Sequence, residues 1–171
     1  MKALVFIGFM GCGKSTLSKR LSAMLGKECI DCDAYVEQKM GMPIRQAVAE
    51  KGETFFRDAE TQALRELTSQ NVIVAAGGGA VERAENRKIL AEANTVFLNT
   101  PFELCYRRIR GDKNRFIAAK SSKAQLRALY QKRLPLYREC ASAEIVPERS
   151  PRQSAEKIRE FVEKQFDKSE N

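Results

Sequence analysis

The chain has 171 residues, 43% hydrophobic and 30% charged, which is enough apolar material for one domain with a packed core. Its net charge is +8 and it contains no histidine. Imidazole metal sites are therefore excluded, any general base must be a carboxylate or another group, and the basic balance points to anionic partners without choosing among nucleotide, acidic metabolite and nucleic acid.

Lys2 to Ile7 is a short apolar run that reads as a buried strand. It leads into Gly8-Phe9-Met10-Gly11-Cys12-Gly13-Lys14-Ser15, which fits the phosphate-loop pattern G-x-x-x-x-G-K-[ST]. Leu17, Leu21 and Leu25 then recur at helical spacing, so a helix begins near Lys14. Strand, glycine loop and helix in this order aim backbone N–H groups, and the positive end of a helix, at one point. Lys14 can reach the β- and γ-phosphates of a nucleotide, and the Ser15 hydroxyl suits Mg²⁺. Cys12 lies inside this loop, where a helix N-terminus favours a reactive thiol. Lys2, the following apolar run and Cys12 loosely mimic a lipoprotein signal, but the run is short and Lys14 follows at once. No other run is long and apolar enough to span a membrane, so a cytoplasmic chain without membrane association is expected.

A second strand is predicted over 28–31, closing on Asp31-Cys32-Asp33, with a helix over 34–40 that Gly41-Met42-Pro43 breaks. Cys29 and Cys32 form a C-x-x-C at a strand end, where reduced thiols are expected rather than a disulfide. Ile44, Ala47 and Val48 mark a short helix, and Glu53 to Leu67 a longer one. Val72 to Ala76 reads as a central parallel strand running into Gly77-Gly78-Gly79. A charged helix over 82–91, a strand over 95–98 and a helix after Pro101 follow. Residues 110–123 are basic and weakly patterned, as in a lid loop. A helix through Leu126 and Tyr130 is expected to stop or break near Pro135, before a strand over 144–146 and a final amphipathic helix from Pro151 with Ala155, Ile158, Val162 and Phe166 inward. Alternating strands and helices predict an α/β fold with a five-stranded parallel sheet covered on both faces.

Three further groups suggest chemistry. Ligand sites in open α/β sheets lie beyond the carboxyl ends of strands, where Asp31 and Asp33 stand. In extended chain they point the same way, so one suits a Mg²⁺-bound water and the other a proton from an acceptor hydroxyl; helix capping is the plainer role for one of them. Arg57 and Glu60 share a helix face, which fits either a surface ion pair or a guanidinium braced for a two-pronged anion contact. The triple glycine lets a ligand approach the backbone. Arg133, in Arg133-Leu134-Pro135-Leu136-Tyr137, and Arg115, in the lid segment, have a solvated helix face and a solvated loop as their plainer readings.

Taken together, the phosphate loop, Asp31-x-Asp33, Phe56-Arg57 with Glu60, Gly77-Gly78-Gly79 and Arg133-x-Pro-Leu-Tyr137 resemble shikimate kinase, in that family's order and across most of the chain. The resemblance implies a nucleoside monophosphate kinase-like, three-layer fold, ATP and Mg²⁺ as cofactors, and transfer of the γ-phosphoryl group to the 3-hydroxyl of shikimate. It implies a single domain over 1–171, with a lid loop at about 111–122 and a substrate-binding helical region at about 33–62. By it, Asp33, Arg57, Gly78, Gly79 and Arg133 bind shikimate, with Arg57 and Arg133 on its carboxylate. Gly11, Cys12, Gly13, Lys14, Ser15 and Thr16 hold the nucleotide, Ser15 and Asp31 (through water) the metal, and Arg115 closes on the phosphates. Lys14, Asp33 and Arg115 are the implied catalytic residues, and Arg152, after the last strand, is a candidate for the adenine side. Two departures stand out: Ala76 where the family carries Thr or Ser, and Arg115-Phe116-Ile117-Ala118 where the lid usually reads Arg-Pro-Leu-Leu. The rival readings are another small-metabolite kinase such as a gluconate kinase, a nucleic-acid-binding ATPase module, which the absence of tryptophan and of a base-stacking cluster disfavours, and a dead ATP-binding regulatory domain, which Lys14, Ser15 and Asp33 disfavour. A monomer that binds a small molecule and no nucleic acid is expected.

Overall fold

The computed structural model describes residues 3–111, 120–148 and 150–166. Five strands, β1 (Leu4–Ile7), β2 (Cys29–Asp31), β3 (Ile73–Ala75), β4 (Asn94–Leu98) and β5 (Ala143–Ile145), form one sheet in the order β2-β3-β1-β4-β5. Every pairing is parallel, as the alternating pattern predicts. Leu4, Val5, Phe6 and Ile7 are each at most 1% exposed. Successive strand residues face opposite sides, so helices must cover both faces of the central strand.

Among the described residues there are eight helices: α1 (Lys14–Leu25), α2 (Cys32–Met40), α3 (Ile44–Lys51), α4 (Glu53–Thr68), α5 (Ala84–Glu92), α6 (Phe102–Ile109), α7 (Lys123–Cys140) and α8 (Pro151–Phe166). Leu17 and Leu21 bury one side of α1, and Ala155, Ile158 and Val162 bury the inner side of α8, which packs on α1. The side chain of Phe166 lies outside the described residues.

Strand ends shift by a residue or so from expectation, and three helix boundaries differ for a local reason. The helix expected over 34–40 starts at Cys32, because the Asp31 side chain caps it by accepting from the N–H groups of Asp33 and Ala34. Asp33 is thus in the first helical turn, not in extended chain. The helix expected from 82 starts at Ala84, because Ala80 N–H donates to Gly77 O and Glu82 N–H to Gly79 O, spending those residues on turns. And α7 runs through Pro135 to Cys140. A proline inside a helix removes one ladder hydrogen bond, but Leu126, Arg133, Tyr137 and Cys140 of this helix are all buried, with Tyr137 stacked on Phe97 at 5.1 Å, and that packing keeps it continuous. Its start is fixed by a reciprocal cap in which Gln125 N–H donates to Ser122 Oγ and Ser122 N–H to the Gln125 side chain.

All five cysteines are free, as expected of Cys29 and Cys32. Cys12, expected to be a thiol made reactive by the helix N-terminus, is instead 1% exposed, with its sulfur turned beneath the loop against Gly8. Helices α2 and α4 are joined at a carboxylate: Tyr35 Oη donates to Glu66 at 2.7 Å and Lys39 Nζ pairs with the same group at 3.0 Å.

Two outcomes follow. The hydrogen bonds from Tyr35, then Lys39, pull the Glu66 carboxyl down from 4.5 to about 2. A carboxyl depressed by folding stabilises the fold above its unfolded value, and that contribution is lost as pH falls through the folded one. Glu66→Gln should therefore lower the Tm at pH 7, with the gap to the parent shrinking to a small remainder near pH 2; a gap independent of pH would refute the link. Under native conditions a bulky thiol reagent should modify the half-buried Cys29 and spare Cys12 equally with and without ATP. Rapid, ATP-sensitive modification of Cys12 would put its thiol in the cradle after all.

Candidate active site

The parallel register builds the site. Phe6 of β1 and Asp31 of β2 both pair with Ala75 of β3. The turns that leave these three strands are therefore neighbours at the carboxyl edge of the sheet, where ligands of open α/β folds bind. Gly8 to Lys14 leave β1, Asp31 and Asp33 leave β2, and Gly77 to Gly79 leave β3.

The first turn suits a phosphate. Gly11 and Gly13 have φ of 80° and 108°, which side chains disfavour. Helix α1 has no side-chain cap and no acidic residue in its first turn, so its leading N–H groups are not taken by the protein's own carboxylates. Lys14 folds back along the loop, with Nζ donating to the carbonyls of Gly8 (2.7 Å) and Phe9 (3.2 Å). Thr16 follows on the exposed side of α1. Two residues outside the motif fix the loop from the far side: Thr100 Oγ1 donates to Cys12 O at 2.8 Å and Arg108 Nη1 to Gly11 O at 3.0 Å. Neither contact has a signature in the motif itself, although the basic end of α6 makes Arg108 a reasonable phosphate neighbour.

Ser15 Oγ donates to Asp31 Oδ2 at 3.2 Å, so a hydroxyl and a carboxylate meet beside the phosphate loop. Among the described residues no group of three His, Cys, Asp or Glu side chains could hold a metal. A pair of hard oxygen donors with open positions fits Mg²⁺, which keeps several waters and binds substrate phosphates.

The triple glycine gathers the remaining residues. A Cβ on Gly77 would lie 2.6 Å from Asp33 Oδ1 and 3.2 Å from Glu60 Oε1. One on Gly79 would lie 2.9 Å from both terminal nitrogens of Arg57 and 3.1 Å from Arg133 Nη2. Asp33, Arg57, Gly79 and Arg133, singled out separately in the sequence, thus meet at one turn. Gly78 is held there by Tyr137, whose hydroxyl donates to its carbonyl at 2.6 Å. Asp33 keeps contact with water but is crowded by protein. That desolvation, with the Asp31 charge, pushes its carboxyl above the usual aspartate value, against the pull of Lys14 and Arg57. Glu60 is 1% exposed, and its burial raises its carboxyl although Arg57 Nη1 donates to it at 2.9 Å.

Sequence reading missed Glu82, which touches both arginines: Arg133 Nε donates to Oε1 at 3.0 Å and Arg57 Nη2 to Oε2 at 3.4 Å. Placed at a helix start, it had no reason to face the glycine turn; only the two-turn path from Gly77 to Arg83 brings it there. Arg152 is exposed at the start of α8 and pairs with Glu156, beside a cavity of about 340 Å³ that Arg20, Ala23 and Met24 of α1 also line. Arg115 lies outside the described residues.

A family model described as shikimate kinase matches residues 10–163. A shikimate kinase of Burkholderia thailandensis is 41% identical over 141 residues, which is 81% of this chain and 77% of that protein. One of Acinetobacter baumannii is 39% identical over 163 residues, 93% of this chain and 91% of that protein. The solved shikimate kinase from Acinetobacter baumannii in complex with shikimate superposes with a TM-score of 0.90 at 36% identity, covering 97% of this chain and 95% of that one. A crystal structure of shikimate kinase from Aquifex aeolicus gives 0.82 at 30% identity, covering 94% and 96%. With family model, relatives and overall fold in agreement, this chain belongs to the shikimate kinase family and is an ATP-dependent kinase of shikimate.

Proposed function

We propose that the site moves the γ-phosphoryl group of ATP to the 3-hydroxyl of shikimate with the following division of labour. Arg57 and Arg133 grip the shikimate carboxylate, and the backbone of Gly78 and Gly79 supports the ring. Asp33 accepts the proton of the attacking hydroxyl as its oxygen bonds to phosphorus and the bond to the ADP oxygen breaks. The raised Asp33 carboxyl suits this task, because a stronger base takes a hydroxyl proton more readily. Lys14 leaves the loop carbonyls for the β- and γ-phosphates and neutralises charge as it builds. Ser15 directly, and Asp31 through water, hold Mg²⁺, which when bound supplies further neutralisation of the phosphates. Arg115, in a lid over about 111–122, closes on the phosphates, while the helical region over about 33–62 carries the substrate side. The enzyme acts as a cytoplasmic monomer on a small molecule, without nucleic acid or membrane. No described helix is long and apolar enough to cross a membrane.

The observation that carries this reading is the meeting of Asp33, Arg57 and Arg133 at Gly77–Gly79, one strand away from the phosphate loop. Asp33→Asn keeps the size but removes the proton acceptor, so turnover should fall by about 10²-fold or more while ATP binds as before. Arg57→Lys keeps the charge but loses the planar fork, so shikimate binding should weaken more than ATP binding. Calorimetric titration of each variant with each substrate, beside a coupled assay of ADP release, separates the two effects. If both variants bind and phosphorylate shikimate like the parent, the substrate site lies elsewhere.

A further inference from the structure

Two guanidiniums form the carboxylate clamp, yet three carboxylates already touch them. Arg57 meets Glu53, Glu60 and Glu82, and Arg133 meets Glu82. The three differ in freedom. Glu60 is fully buried on the helix that carries Arg57, so it is a fixed brace. Glu53 is 67% exposed and lies at the solvent end of the same helix. Glu82 alone among the described residues touches both arginines, with one oxygen on each. That is how a substrate carboxylate would sit between two guanidiniums.

Arg133 makes the point sharper. Its side chain is 3% exposed, and among the described residues Glu82 is its one ion-pair partner and its buried Nη1 has no hydrogen-bond partner. A buried cation needs a counter-charge. Glu82 supplies it through Nε and leaves the outer edge of the fork, with Nη2 beside Gly79, toward the glycine turn. The Glu82 backbone is pinned, its N–H donating to Gly79 O at 3.0 Å and its carbonyl accepting from Arg87 at 3.1 Å. The side chain is only 25% exposed, its contact with Arg57 is long at 3.4 Å, and no other described residue bonds its oxygens. Its side chain can withdraw without unfolding a helix, and unlike the exposed Glu53 it holds the buried Arg133 as well as Arg57.

We infer that Glu82 is an internal counter-ion of the clamp, which it fills when the substrate is absent and which an incoming carboxylate displaces from Arg57 and partly from Arg133. This rests on the clamp reading above. With Glu82 in place the clamp carries no excess positive charge, so a simple inorganic anion gains little there. A carboxylate on a hydroxylated ring gains the additional contacts at Asp33 and the glycine turn, and competes successfully. Glu82 thus lowers the affinity for the correct substrate while rejecting small anions, which is selectivity by an unfavourable element.

The test uses Glu82→Gln, which keeps the shape and removes the charge, with Arg133→Lys as a control on the clamp. Shikimate, its neutral analogue with hydroxymethyl in place of carboxylate, and inorganic sulfate are titrated into each protein. Glu82→Gln should bind shikimate about fivefold more tightly or better, since one like charge about 4 Å away is worth roughly that much even at the dielectric of bulk water. It should also become sensitive to sulfate as a competitor, and bind the neutral analogue as the parent does. A merely structural role for Glu82 would shift all three ligands together. Unchanged or weaker shikimate binding overturns the inference. Should Glu82→Gln fail to fold, Glu82→Asp, too short to span both arginines, carries the same expectation at smaller amplitude. If Arg133→Lys binds shikimate like the parent, the clamp itself is misplaced; if it binds weakly while Glu82→Gln is no tighter, only the displacement fails.

Discussion

The absence of two side chains governs this site. Asp33, Glu60, Arg57 and Arg133 come from three helices, and they can close on one point only because Gly77 and Gly79 present bare backbone to them. Any Cβ at Gly77 would occupy the space of a carboxylate oxygen, and at Gly79 that of two guanidinium nitrogens. The alternative of moving the charged groups outward would loosen both the brace of Arg57 and the distance from Asp33 to the phosphate loop. The apolar strand β3, beside the central β1, fixes where the glycines stand, and Tyr137 holds them through the carbonyl of Gly78.

That crowding carries an energetic tension. Glu60 and Arg133 are almost wholly buried, and buried charges are tolerated only when paired. The site meets the requirement with a chain of ion pairs, Glu60 to Arg57 to Glu82 to Arg133, rather than with isolated ones. Each link bears on the next, so the protein's own carboxylates position both guanidiniums. The desolvation that this demands also raises the Asp33 and Glu60 carboxyls above their usual values. Carboxyls of raised proton affinity in the same crowded space are the chemical return on an arrangement that packing alone would not favour.

Much of this was legible in the residues. The glycine loop, Lys14 and Ser15 are legible because phosphate binding uses backbone at fixed spacing. Strand order aside, the alternating apolar runs are enough to predict the parallel sheet. What escaped is of a different kind. Asp31 and Asp33 looked alike in an extended segment, where only the family resemblance told them apart, and the cap made by Asp31 shows physically how one stays beside Ser15 while the other turns toward Gly77. Pro135 looked like a stop because local propensity says so, whereas the buried face of α7 outweighs it. Cys12 looked reactive because its sequence neighbours are, but its sulfur lies beneath the loop. Glu82 was invisible, since no periodicity reports a side chain delivered by two successive turns.

The position of β1 has a consequence for how the molecule comes into being. This strand carries the phosphate loop and lies in the middle of the sheet, flanked by β3 and β4. Its partners begin at Ile73 and Asn94, so a growing chain has to extend past about residue 98 before both edges of Leu4–Ile7 are covered. Until then a fully apolar segment with two open edges is free to pair with another copy of itself. Leu4–Ile7 therefore wait for both partner strands to be made, and during that interval of synthesis their apolar edges are open to pairing between copies.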